Sequence, residues 1–197
     1  MSDQILGFIG GSGLYEIEFI ENKKLIDINS PFGKTSDKII EGNINNNKIY
    51  FLSRHGKGHK LSPSGINYQA NIEALKQCGV TDIFSLSAVG SLKESLDPGT
   101  FVIINQFIDR TISRKKSFFN EGIVAHVPMS EPTSIELMDL GKIVLDNLNI
   151  RNVYGGTYLV MEGPQFSTKG ESNLYREWKC DVIGMTNMPE AKLCREA

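Results

Sequence analysis

The sequence predicts an α/β fold in which helices flank a mixed central sheet. Three observations predict it: short apolar runs alternate with segments of helical periodicity, two runs are joined as a hairpin, and several runs end in small residues. Hydrophobic residues make up 40% of the 197 residues, enough to bury a core of ordinary domain size. We therefore expect residues 1–197 to form a single domain.

Strand-like and helical segments alternate along the chain. The apolar run over 5–9 ends at Gly10-Gly11-Ser12-Gly13, which indicates a buried strand followed by a tight loop. Strand-like runs over 38–44 and 48–53 are joined by Asn45-Asn46-Asn47, and because asparagine tolerates left-handed backbone angles, we predict a hairpin there. Helices are also predicted over 64–77 and 169–178, and strands over 80–87, 101–104, 155–161 and 181–185.

Local signals mark where the later helices begin. Thr133 and Glu136, and again Thr168 and Glu171, have the spacing of a capping box, so each pair is predicted to open a helix. Pro189 suits the first turn of the last helix. Residues 110–129 show the least periodicity and are predicted to form a long surface loop.

Composition excludes several classes of protein. The 21 Lys and Arg residues nearly balance 23 Asp and Glu, so no overall field favours nucleic acid or a membrane surface. No run approaches the ~20 apolar residues of a membrane span, and Met1-Ser2-Asp3-Gln4 lacks the basic start of a secretory signal. The three cysteines, Cys78, Cys180 and Cys194, are too few and too widely spaced for a disulfide framework or a zinc site, which favours a cytoplasmic protein.

Two motifs near the N-terminus could bind an anion. Glycines after the first strand let the backbone approach an anion, and Ser12 adds a hydroxyl donor; the alternative is a plain tight turn. A dinucleotide fingerprint would need glycine where Glu16 stands. Arg54 offers a planar fork of donors that matches phosphate, and His55 adds further hydrogen bonds; the alternative is an ordinary surface arginine beside a structural histidine. A metal pair of His55 and His59 lacks a third ligand nearby.

Three later motifs stand at predicted strand ends, where open α/β sheets place ligands. In Ser85-Leu86-Ser87-Ala88-Val89-Gly90, the Ser87 hydroxyl and the amides that follow could hold phosphate or ribose oxygens. In 162–168, Phe166 could stack on a flat base and Ser167 could reach its edge, unless the aromatic ring is a buried plug. In 184–190, Thr186 could donate to an oxyanion at a helix N-terminus, whereas Met185 could simply pack the core.

Taken in order, these residues resemble the 5′-methylthioadenosine phosphorylases of the trimeric purine nucleoside phosphorylase family. The resemblance covers essentially the whole chain and rests on motifs that include Ile9-Gly10-Gly11-Ser12-Gly13-Leu14, Pro31-Phe32-Gly33-Lys34, Arg54-His55-Gly56, Pro63, Asn67-Tyr68-Gln69-Ala70-Asn71, Ala88-Val89-Gly90-Ser91-Leu92, Asp97-Pro98-Gly99, Asp109-Arg110-Thr111, Glu162-Gly163-Pro164-Gln165-Phe166-Ser167 and Met185-Thr186-Asn187-Met188-Pro189-Glu190. It implies one nucleoside phosphorylase domain with the three-layer phosphorylase/hydrolase-like fold, assembled as a homotrimer.

The resemblance also implies a role for each site residue. Met185 would lie against the ribose, Phe166 and Ser167 would line the base pocket, and His126 would reach across a trimer interface toward the 5′-methylthio group. The phosphate ligands would be Ser12, Arg54, His55, Ser87, Thr186 and the backbone at Ala88. The implied reaction is phosphorolysis of S-methyl-5′-thioadenosine, with inorganic phosphate as co-substrate and no metal or organic cofactor.

The family pattern continues beyond this sequence. An Asp-x-Asp pair that binds adenine and can protonate N7, and a helix that covers the 5′ pocket, would follow Ala197, so we expect the chain to be incomplete at its C-terminus, without a catalytic acid of its own. Cleavage of another purine nucleoside (methylthioinosine, inosine or guanosine) and an inactive fragment remain alternatives. The functional interpretation depends on one prediction. This prediction is that five residues converge on one anion pocket: Ser12, Arg54, His55, Ser87 and Thr186.

Overall fold

The computed structural model describes residues 4–14, 17–119 and 122–197; Met1, Ser2, Asp3 and Glu16, on which two of the sequence arguments rest, lie outside them. The described chain forms two compact units. The first comprises the residues up to Ala88 together with 115–118 and Ala197, and the second comprises 89–114 and 119–196. The expectation that 1–197 is a single domain stays a prediction.

A five-stranded mixed sheet organises the first unit. Its strands, in the order β2-β3-β4-β1-β5, are β1 (Leu6–Gly10), β2 (Glu21–Ile26), β3 (Ile39–Ile44), β4 (Asn47–Ser53) and β5 (Asp82–Leu86). Strand β1 runs parallel to both β4 and β5, while β2, β3 and β4 are antiparallel neighbours. The predicted hairpin is confirmed, because Asn45 and Asn46 between β3 and β4 have φ of 49° and 65°.

Helix α1 (Tyr68–Gln77) connects β4 to β5 and buries Ala70, Ala74 and Leu75. The predicted start at residue 64 is wrong. Pro63–Gly65 forms a separate 3₁₀ turn, Ile66 is extended, and α1 begins after Asn67, whose side chain accepts the Ala70 N–H at 3.1 Å. The asparagine cap satisfies a backbone donor that the first turn leaves without an intrahelical partner, so the helix begins there.

Replacing the Asn67 cap is expected to destabilise the first unit. Besides capping α1, the Asn67 amide donates to the Phe32 carbonyl at 2.8 Å. Asn67→Ala removes both bonds, whereas Asn67→Ser restores only the cap, so we expect the alanine variant to be less stable than the serine variant by ~0.5–2 kcal/mol. Chemical denaturation of both variants measures the difference, and equal stabilities would show that the cap contributes nothing.

The second unit contains two small sheets. A four-stranded sheet in the order β6-β11-β10-β8 is made of β6 (Gly90–Ser91), β8 (Gln106–Arg110), β10 (Thr157–Met161) and β11 (Val182–Gly184). Strand β10 runs parallel to both β8 and β11, and β6 is antiparallel to β11. A parallel pair joins β7 (Phe101–Ile103) to β9 (Asn152–Tyr154). Parallel and antiparallel strands together with helices confirm the predicted α/β class.

Three helices complete the second unit: α2 (Ile135–Asn147), α3 (Lys169–Glu177) and α4 (Asn187–Glu196). The capping box of Thr168 and Glu171 is confirmed at α3. The one predicted at Thr133 is wrong, because Ser134 caps α2 by accepting the Leu137 N–H at 3.3 Å, while the Thr133 hydroxyl lies 3.3 Å from the Met138 sulfur.

The remaining sequence signals concern loops and the last helix. Met188 has extended angles (φ −121°, ψ 132°), so the regular part of α4 begins at Pro189, as predicted. Residues 111–119 and 122–134 contain no helix or strand, so the loop predicted over 110–129 is confirmed for its described residues except Arg110, which ends β8. Within the described ranges, no helix has both the length and the apolar character needed to cross a membrane.

Candidate functional site

The carboxyl ends of three parallel strands meet in the first unit. Arg54, directly after β4, donates its backbone N–H to the Gly10 carbonyl at the end of β1, at 2.9 Å. Gly11 in turn donates to the Leu86 carbonyl at the end of β5, also at 2.9 Å. The glycine loop, the arginine motif and the serine motif are therefore neighbours at the edge of the sheet where α/β proteins bind ligands.

The Arg54 side chain lies in the middle of this edge. It is 0% exposed, so the alternative of an ordinary surface arginine is wrong. Its Nη1 donates to the Leu86 carbonyl at 3.1 Å and to Ser87 Oγ at 3.0 Å, and its Nη2 donates to Ser85 Oγ at 2.6 Å. The contacts hold the guanidinium plane in one orientation. Charge-assisted hydrogen bonds from a guanidinium to an oxyanion are stronger than hydrogen bonds between neutral groups.

Ser85 is a site residue that the sequence analysis did not single out. Its hydroxyl makes the shortest of the three contacts to Arg54, and it lies on β5, two residues before Ser87, which directly follows the strand. Side chains two residues apart on a strand share a face, so the alternation of the Ser85-Leu86-Ser87 motif already contained the signal.

The glycine loop supplies backbone close to Arg54. An added Cβ on Gly11 would lie 2.7 Å from the Leu86 carbonyl oxygen and 2.8 Å from Arg54 Nη1, so only glycine fits without displacement. Ser12 follows in an exposed turn closed by the Leu14 N–H bonding to the Gly11 carbonyl at 3.1 Å. Ala88, just beyond β5, is likewise exposed.

We expect Gly11→Ala to destabilise the protein by ~1–3 kcal/mol, the usual cost of forcing extra volume into a packed site. The matched control is Gly141→Ala in α2, where an added Cβ meets nothing within 4 Å. That change replaces a helical glycine and should stabilise the protein by ~0.5–1 kcal/mol. Urea denaturation measures both variants, and a neutral Gly11→Ala would contradict the close packing around Arg54.

His55 is buried and its ring is held in place. Its Nδ1 lies 2.8 Å from the Leu61 carbonyl oxygen. Because a carbonyl only accepts, Nδ1 carries the proton, and Nε2 donates only in the imidazolium form. The ring stacks on His59 with centroids 4.1 Å apart and planes 12° from parallel. A metal lies in the plane of each imidazole that binds it, so this stacking disfavours the His55–His59 metal pair.

The described chain offers no alternative metal or thiol chemistry. Residues 4–14, 17–119 and 122–197 contain no group of three His, Cys, Asp or Glu placed to hold a metal ion. Cys78, Cys180 and Cys194 are free thiols. Burial raises the pKa of each of the three thiols, so they are protonated near neutral pH and are poor nucleophiles.

The remaining predicted residues belong to the second unit. Met185 and the buried Thr186 directly follow β11. Phe166 is 88% exposed, which rules out a buried plug, and Ser167 Oγ lies 2.8 Å from Ser172 Oγ. His126 is exposed in the long loop. Of the predicted phosphate ligands, the structure brings Arg54 and Ser87 into contact; the common pocket with Thr186 and the role of each residue stay predictions.

Sequence analysis also missed Arg114, a buried arginine of the long loop. It donates to the main-chain carbonyls of Glu162 and Met185, which directly follow β10 and β11. No local pattern marks this residue, because its partners are far away along the chain.

A buried arginine, two serine hydroxyls and a glycine loop lie together at parallel strand ends, the edge where α/β proteins bind ligands. The chain belongs to the phosphorylase superfamily, whose family model matches residues 5–197. Within it, the chain is 60% identical over 193 residues to S-methyl-5′-thioadenosine phosphorylase of Rhodospirillum rubrum, covering 98% of this chain and 66% of the relative. The protein of the same name in Cereibacter sphaeroides is 52% identical, with 98% and 67% covered.

Solved structures agree with the fold. Methylthioadenosine phosphorylase from an antarctic soil metagenomic library superposes with a TM-score of 0.92 at 48% identity, covering 96% of this chain and 67% of that one. The Schistosoma mansoni enzyme in complex with adenine superposes with a TM-score of 0.94 at 33% identity, covering 97% and 76%. The predicted phosphorylase fold is thereby confirmed. This chain spans about two thirds of the length of the sequence relatives above.

Proposed function

We propose that the protein acts in the phosphorolysis of S-methyl-5′-thioadenosine to adenine and S-methyl-5-thioribose 1-phosphate, a purine and methionine salvage reaction. The observation that carries the proposal is the buried Arg54, held at the strand ends by Ser85 and Ser87. Names of relatives at 52–60% identity support the choice of nucleoside.

In the proposed reaction, the bond between the purine and ribose C1′ breaks through an oxocarbenium-like state, and phosphate captures C1′. Arg54 would hold phosphate by charge-assisted hydrogen bonds, with its guanidinium orientation already set by the two serines. Phosphate fixed in this way both stabilises the developing positive charge and is placed for attack, so positioning and electrostatics supply most of the rate. The chemistry requires no metal or organic cofactor.

The other assignments are part of the same proposal. Ser12, His55, Ser87, Thr186 and the Ala88 backbone would complete the phosphate ligands. Met185 would contact the ribose, Phe166 and Ser167 the base, and His126 the 5′ group in a neighbouring subunit. The departing base also needs a proton or hydrogen bond at N7, which none of these residues is proposed to supply.

Assembly and compartment are also proposals. A homotrimer follows from the family resemblance and would give His126 a neighbouring subunit to reach. A cytoplasmic location is supported by the three free thiols, since oxidising compartments favour disulfides.

The test is incubation of the 197-residue chain with S-methyl-5′-thioadenosine, with and without inorganic phosphate, followed by chromatography of released adenine. We expect slow release, and only when phosphate is present, because none of the assigned residues donates to N7 of the departing base. A parallel panel of methylthioinosine, inosine and guanosine at fixed phosphate identifies the substrate. Preference for one of these three would contradict the proposed nucleoside, and no cleavage in any reaction would contradict the activity and favour an inactive fragment.

A further inference from the structure

Arg114 joins the ends of two parallel strands in the second unit. Its side chain is 1% exposed. Nη1 donates to the carbonyls of Met185 at 2.5 Å and Met188 at 2.6 Å, both after β11. Nη2 donates to the carbonyls of Glu162 at 2.7 Å and Met161 at 3.5 Å, at the end of β10. One guanidinium therefore bonds the main chain of both segments.

The Glu162 carboxylate contacts both Arg114 and the backbone of the residues just before it. Its Oε1 lies 3.5 Å from Arg114 Nε, and its Oε2 accepts the backbone N–H groups of Ile112 at 2.5 Å and Ser113 at 3.3 Å. The pair thus ties the irregular segment before Arg114 to the end of β10. We call Arg114 and Glu162 the clamp.

The two segments held by the clamp are packed tightly together. Gly163 follows Glu162, and an added Cβ there would lie 2.6 Å from Met185 Sδ. A shift of either segment would therefore move the Met185 side chain against the loop that leads to Phe166 and Ser167. These are the residues that the proposed function assigns to ribose and base.

A second contact attaches α4 to β8, directly before the same irregular segment. Lys192 of α4 donates to Asp109 Oδ2 at 2.5 Å, and Asp109 Oδ1 accepts both the backbone N–H and the hydroxyl of Thr111. The motif Asp109-Arg110-Thr111, to which sequence analysis gave no role, thereby orients the chain that leads into Arg114.

We propose that Arg114 is a positioning residue for the nucleoside: by bonding both main-chain segments, it sets the spacing between Met185 and the base loop. The proposal rests on the proposed function and adds a residue that touches neither phosphate nor the reacting atoms. The planar guanidinium of Arg114 reaches two carbonyls with each terminal nitrogen, and a lysine ammonium on a flexible stem cannot reproduce these contacts.

The test compares the wild-type chain with Arg114→Lys and, as a matched control, with Arg176→Lys. Arg176 is exposed on α3 and donates to Asn173 Oδ1 at 3.1 Å, a contact within its own helix. For each protein, hydrogen exchange of the amides in 162–168 and 185–188 is measured, together with the KM for S-methyl-5′-thioadenosine and for phosphate. Thermal unfolding identifies any general loss of stability.

We expect Arg114→Lys to accelerate exchange in those two segments and to raise the nucleoside KM by roughly 10–100-fold, because small displacements of positioning groups have effects of this size. The phosphate KM should change less than about twofold, and Arg176→Lys should behave as wild type. Equal changes in both KM values, a uniform rise in exchange, or no change would each overturn the proposal. A wild-type chain that cleaves no nucleoside would contradict the proposed function, while the exchange measurement would still decide whether the clamp orders the two segments.

Discussion

Arg54→Ala is expected to weaken the binding of inorganic phosphate by roughly 10–150-fold, the equivalent of losing charge-assisted hydrogen bonds worth ~1.5–3 kcal/mol. The side chain is fully buried, and three of its contacts are to neutral acceptors on β5 and just beyond it: Ser85, Leu86 and Ser87. Isothermal titration with phosphate measures the dissociation constant directly, without depending on catalysis.

Two companion variants separate phosphate binding from folding. Arg54→Lys keeps the charge but loses the planar fork, so we expect its affinity for phosphate to lie between those of the wild type and Arg54→Ala. If the alanine variant is unstable, the lysine variant supplies the folded protein for the measurement. Arg151→Ala removes an exposed arginine paired with Asp97 at 2.5 Å and should leave phosphate affinity unchanged. If Arg54→Ala and Arg54→Lys both fold and bind phosphate as wild type does, the phosphate assignment is wrong.

Leu159→Ala is expected to destabilise the second unit by ~2–5 kcal/mol, the cost of removing a large apolar side chain and leaving a cavity. Leu159 lies on β10 between β8 and β11, is 0% exposed, and packs with Leu92, Tyr175 and Cys180. Strand neighbours on both sides limit how far the surroundings can collapse into the space.

Leu140→Ala provides the same chemical change at a different burial. Leu140 lies on α2 and is 45% exposed, so we expect a loss of no more than about 1 kcal/mol. Chemical denaturation of the two variants gives the comparison, and similar losses at both positions would contradict the placement of Leu159 in the core.

Elements with short-range causes were predictable from the sequence. Asn45 and Asn46 set the hairpin because asparagine accepts positive φ, and Glu171 stands three residues after Thr168 to form a capping box. Predictions of helix starts failed where two nearby residues could each serve as the N-cap. Thr133 and Ser134 are both good caps, and the choice fell to Ser134 while the Thr133 hydroxyl lies against Met138.

The candidate site was likewise predictable only in part from the sequence. Glycine, arginine and serine at strand ends predict an anion site from residue types alone, and the sequence by itself goes no further than that prediction. Only the tertiary structure decided that Arg54 meets Ser87, 33 positions away, and that Arg114 meets Met185, 71 positions away. Which strand ends become neighbours depends on sheet pairing and core packing across the whole chain, and no local pattern contains that information.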